Sequence, residues 1–142
     1  MSCNDSCGFN ACGSIGLIIS LVIGILVGIL FAVGLIPLIT VVVWVVFGLA
    51  VLNLIFLITG LYLGAVAFPD ILKNCFCENA ICWLAGIIGT IISAIILLSI
   101  IIIPALIAVI IFVAVLAFFF ALMLVGLIAI ISCIVCKLCI RQ

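Results

Sequence analysis

The sequence predicts an all-α integral membrane protein, a four-helix bundle built from two tandem, pseudo-equivalent helical hairpins with a Cys-rich cap on one face. Three observations predict it. Of 142 residues, 74% are hydrophobic and 4% charged, whereas a soluble domain is about half apolar and about a quarter charged. No water-soluble fold of this size has the interior to hide so much Ile, Leu and Val. Four apolar stretches, each long enough to cross roughly 30 Å of hydrocarbon, are separated by Pro37, by one polar interval and by Pro104. Finally, all nine cysteines fall in the three segments that four crossings bring to one side.

Residues 1–13 read as a short polar, Cys-rich N-terminal cap. Met1-Ser-Cys-Asn-Asp-Ser-Cys7 lacks the positive start of a cleavable signal, so the first apolar segment is read as retained. Residues 14–68 form the first transmembrane hairpin, with its turn at Pro37. Its first helix places Gly16, Ser20, Gly24, Gly28 and Ala32 at a constant spacing of four. On a helix this makes a smooth stripe on which another backbone can approach closely. Proline lacks an N–H and disfavours helical geometry in the residue before it, so Ile36-Pro37 is read as the turn. The second helix is longer than a bilayer requires, with Trp44 and Tyr62 towards its ends, where amphipathic rings sit at interfaces.

Residues 69–82 are read as a polar, Cys-rich hinge loop. The interval Phe68-Pro-Asp-Ile-Leu-Lys-Asn-Cys-Phe-Cys-Glu-Asn-Ala-Ile-Cys82 is the one polar break between Gly13 and Ser132. Residues 83–133 form the second transmembrane hairpin, with its turn at Pro104, and residues 134–142 a Cys-rich C-terminal tail. The order of Cys-cap, helix, proline turn and long helix occurs twice, which predicts a duplicated unit. Runs such as Val41-Val-Val-Trp-Val-Val46 favour strands in water. In hydrocarbon a helix satisfies every backbone group internally, and that overrides the preference.

With four spans, the N-terminus, the central loop and the C-terminus share a face. That face receives Cys3, Cys7 and Cys12; Cys75, Cys77 and Cys82; and Cys133, Cys136 and Cys139, together with every charged residue. Lys73, Lys137 and Arg141 put it in the cytoplasm by the positive-inside rule. Three chemistries suit the cysteines. They are candidates for covalent cross-linking; nine is odd, which leaves one sulfur for a bond between molecules. Cys133, Cys136 and Cys139 match part of an iron–sulfur spacing, but the fourth Cys and the following Pro are missing, and the chain has no His. Juxtamembrane cysteines also behave as small hydrophobes or accept acyl chains. No cofactor is expected.

Asn53, midway along the second helix, is read as a helix–helix hydrogen bond, with the lining of a pore as the alternative. No carboxylate lies within a span and no nucleophile motif is present, so the chain is read as a non-enzyme. Zero net charge and the lack of a basic run exclude a nucleic-acid partner. The expected partners are the lipid bilayer and further copies of the chain in a homo-oligomer or higher-order assembly. The expected role is a structural, self-associating membrane protein whose thiol-rich cap is fixed by disulfides or thiol clustering. A small channel or transport component, or a thiol-based metal or Fe–S binding protein, are the alternatives.

Gly34-Leu-Ile-Pro-Leu-Ile-Thr40, Trp44 and the cysteine-rich ends resemble a loose group of small, very hydrophobic, Cys-rich membrane proteins of spore-forming Firmicutes. The resemblance covers mainly the first hairpin. It implies a bacterial, spore-associated setting, and neither an activity nor site residues.

Overall fold

The computed structural model describes residues 13–34, 39–67, 69–100 and 106–141, and within these leaves the side chains of 65, 67, 69–79, 106 and 137–141 undescribed. Four α-helices follow one another: α1 Ser14–Ala32, α2 Ile39–Ala67, α3 Pro69–Ile100 and α4 Leu106–Arg141. No strand occurs among the described residues. Each helix holds a stretch long and apolar enough to cross a membrane: Ser14–Ala32, Ile39–Gly64, Ala80–Ile100 and Ile107–Cys136.

Two boundaries differ from expectation. The helix α1 ends at Ala32, short of Pro37. Gly34 adopts φ +78°, and the N–H groups of Val33 and Gly34 donate to the carbonyls of Ile29 and Phe31. A left-handed residue past the last turn is a glycine-terminated helix end, so the stop precedes the proline. Pro37 and Pro104 themselves lie outside the described residues.

The second difference is larger. Residues 69–82, expected as a hinge loop, are helical and belong to α3, and the expected C-terminal tail continues α4 as far as Arg141. The physical reason is at the start of α3. Proline is favoured at the first helical position, where its missing N–H costs nothing, and Asp70 follows it in the positive first turn of the helix. At 32 and 36 residues, α3 and α4 are about 48 and 54 Å long at 1.5 Å per residue. Both exceed the roughly 30 Å that a hydrocarbon core would require.

The packing runs α2–α3–α4–α1. The most extensive contact is α3 on α4, followed by α1 on α4 and α2 on α3; α1 and α2 are not a closely packed pair among the described residues. The second expected hairpin is thus a packed pair, while the first is not folded upon itself. Neighbours are antiparallel. Gly86 lies against Met123 while Gly126 lies against Trp83, and Gly24 lies against Phe118 while Gly28 lies nearer Ile110. The start of α1, the end of α2, the start of α3 and the end of α4 therefore share one end.

Two apolar clusters form the interior. Towards the shared end Ala50 and Leu57 of α2 meet Trp83 and Ile87 of α3 and Met123 and Ile130 of α4. Towards the opposite end Val43, Ala94, Leu97, Val113 and Leu116 pack together, with Val27 and Phe31 of α1 against them. Outward faces are as apolar as the interior: Ile15, Ile18, Leu21, Ile25 and Ile29 of α1 are all exposed. In water such a surface far exceeds what a soluble monomer leaves open. Hydrocarbon is the solvent that suits it.

Candidate functional site

The small-residue stripe of α1 is the most closely packed of the features singled out above. Gly16, Ser20, Gly24 and Gly28 are buried, and Ala32 is exposed. A β-carbon added to Gly24 would stand 2.9 Å from the Ala114 carbonyl oxygen and 3.0 Å from Phe118 Cβ; one added to Gly28 would stand 2.9 Å from Ala114 Cβ. The stripe faces α4. Ser20 Oγ donates to the Gly16 carbonyl oxygen at 2.9 Å, which satisfies the hydroxyl within its own helix.

Among the described residues Asn53 makes no bond between helices. It is half-buried, and its Nδ2 donates to the Leu49 carbonyl oxygen of α2 at 2.9 Å. An amide in hydrocarbon takes the nearest acceptor, which is the carbonyl one turn back. Thr90 and Ser99 do the same towards Gly86 and Ile95.

An apolar groove of about 500 Å³ lies between α1 and α2 with α4 as its floor, lined by Ile23, Val27, Val42, Val46, Leu116 and Phe120 among others. Neither Asn53 nor any residue of the stripe lines it. Its wall offers almost nothing polar to an ion or a hydrophilic solute.

Of the nine cysteines, Cys82, Cys133 and Cys136 have described side chains. Cys3, Cys7 and Cys12 lie outside the described residues; Cys75, Cys77 and Cys139 have helical backbone and undescribed side chains. Cys82 is buried and the other two half-buried, near the shared end of the bundle. Each of the three has an interaction partner, and none stands free. No cluster of three His, Cys, Asp or Glu side chains able to hold a metal occurs among the described residues.

The register between α3 and α4 limits which of these cysteines can meet. With Gly86 against Met123 and Trp83 against Gly126, Cys82 is level with Leu127 and Cys133 with Phe76. Cys82 and Cys133 are therefore about six residues apart along the bundle, or about 9 Å. A disulfide spans roughly 4.4–6.8 Å between Cα atoms. At that separation Cys82 is out of disulfide reach of Cys133, and of Cys136, which is a further turn away.

No protein-family model matches the chain, and neither a curated protein nor a solved structure is significantly similar to it.

Proposed function

We propose that this is a structural integral membrane protein that self-associates in the bilayer, with its thiol-rich end fixed by disulfides or thiol clustering. The observation that carries the reading is the engagement of Cys82, Cys133 and Cys136 at one end of a bundle whose spans hold no charged side chain. Lipid tails match the outer faces of the helices, so apolarity alone does not draw copies together. Directional chemistry is needed. The thiols and the six charges supply it at that end, and Cys133 is level with the stretch of α3 that carries Cys75 and Cys77.

Lys73, Lys137 and Arg141 favour a cytoplasmic position for this end, while disulfides need an oxidising one. A spore envelope, exposed when the mother cell lyses, reconciles the two. The channel alternative gains no support: the small-residue stripe is packed on α4, and the groove has no polar lining.

Electrophoresis of protein from its native source, with thiols blocked at lysis, tests the proposal. Oligomers that collapse on reduction are expected. Replacing all nine cysteines with Ser should leave membrane insertion intact and weaken assembly. Free thiols in the native protein, or normal assembly of the all-Ser variant, would overturn the cross-linking reading and leave acylation or simple packing in its place.

A further inference from the structure

Asn53 lies within the span Ile39–Gly64, eleven residues from its nearer end, which is about 16 Å of helix. A carboxamide has two N–H donors and one acceptor oxygen. One N–H is used on the Leu49 carbonyl; the other, and Oδ1, have no partner among the described residues. Ser20, Thr90 and Ser99 differ, because each has a single hydroxyl donor and each donor is used on its own helix.

The surroundings of Asn53 have a second regularity. Leu49, Asn53, Phe56, Gly60 and Leu63 alternate by four and three residues, the spacing of a coiled-coil seam. Leu49, Phe56 and Leu63 are exposed, and Asn53 and Gly60 half-buried. At Gly60 an added β-carbon would meet nothing within 4 Å, so a notch stands open two turns from the amide. The buried stripe Val43, Ala50 and Leu57 of the same helix faces the interior. The seam is a flank of α2 that the bundle covers only in part.

We propose that this seam is the self-association face and that its occupant is the same seam of a second copy. The inference rests on the self-associating reading above and names its interface. A lipid tail neither donates nor accepts a hydrogen bond, so it leaves Oδ1 and the second N–H of Asn53 unsatisfied in hydrocarbon. Copies inserted in one orientation hold Asn53 at one depth, so two parallel α2 helices bring Asn53 to Asn53. The carboxamide is self-complementary: each N–H donates to the Oδ1 of the other, across a two-fold axis along the membrane normal. The open notch at Gly60 lets the two backbones approach.

The test is energy transfer between donor- and acceptor-labelled full-length protein in phosphatidylcholine vesicles, under reducing conditions, as protein is diluted into lipid. Asn53→Leu should raise the dissociation constant roughly three- to thirty-fold, the range that interhelical hydrogen bonds of this kind produce. Asn53→Gln keeps the carboxamide and should restore most of the affinity, whereas Gly60→Leu fills the notch and should weaken association. If Asn53→Leu loses helical content, Phe56→Ala on the same seam replaces it and should also weaken association. A wild type that associates while seam variants associate equally tightly would overturn the seam and leave self-association standing. A reduced wild type that stays monomeric at every dilution would overturn the seam together with self-association inside the bilayer.

Discussion

Gly126 of α4 lies directly against Trp83 of α3: a β-carbon built on Gly126 would stand 2.9 Å from Trp83 Cβ and 3.0 Å from its Cα. Trp83 is almost fully buried, the largest of the enclosed side chains among the described residues. Those two atoms belong to the start of the side chain and to the backbone, so no rotamer change relieves the overlap. Gly126→Ala should force α3 and α4 apart locally and destabilise the bundle by about 1–3 kcal/mol, the usual range for overpacking. Unfolding in mixed micelles, followed by Trp fluorescence, measures it.

Two glycines of α3 separate backbone from side-chain crowding. A β-carbon on Gly86 would stand 2.7 Å from the backbone nitrogen of Met123 and 2.9 Å from its Cα, whereas on Gly89 its three nearest neighbours are atoms of the Phe119 ring. A ring can rotate away, at the expense of its edge-on contact with Phe118 at 5.3 Å between centroids, an interaction worth about 0.5–1.5 kcal/mol. Gly86→Ala should therefore destabilise more than Gly89→Ala. The same micelle titration ranks them, and the reverse order would show that the helices slide before the ring turns.

The α1 stripe was legible because glycines at a spacing of four stand out even in an apolar sequence. Its partner was not. Glycine spacing marks a face for close approach without naming the helix that approaches, and the stripe packs on α4, where the small Ala114 offers a surface into which Gly24 and Gly28 fit. The inward stripe of α2 at Val43, Ala50 and Leu57 was invisible for a different reason. Amphipathic contrast reveals a buried face only where the opposite face is polar, and here lipid makes both faces apolar. The helical start of α3 was readable in Pro69 and Asp70, but polarity at a membrane surface was taken as loop. The cysteines were legible as a group confined to three segments, and their pairing was not, because it depends on helix register.

Gly24 and Gly48 make a matched pair in the spans. A leucine at position 24 would enter the space of the Ala114 carbonyl oxygen and Phe118 Cβ, while a β-carbon at position 48 meets nothing within 4 Å. Gly24→Leu should detach α1 from α4, since α1 has no other closely packed neighbour among the described residues. Hydrogen exchange in α1 should then rise while that in α3 stays slow. Gly48→Leu should leave both patterns unchanged and shift stability by less than about 0.5 kcal/mol. Equal exchange in the two variants would remove the stripe from the account of how α1 is held.

The last prediction concerns Cys82 and tests the register of the whole shared end. Cys82, Cys133 and Cys136 each have an interaction partner, and the contacts of Gly86 with Met123 and of Gly126 with Trp83 place Cys82 about two turns from Cys133 along α4. Closing a bond between them would require α3 to slide by about 9 Å, which would pull Trp83 off Gly126 and expose the cluster that Ile87 and Met123 complete. A cross-link at Cys82 under the proposed reading therefore reaches another cysteine of the chain or one of a second copy. Proteolysis of the thiol-blocked, non-reduced protein followed by mass spectrometry should find Cys82 in a cross-linked peptide that contains neither Cys133 nor Cys136. A Cys82–Cys133 or Cys82–Cys136 peptide would show that α3 and α4 meet two turns or more out of the register described, and the Gly86 and Gly126 predictions would fail with it.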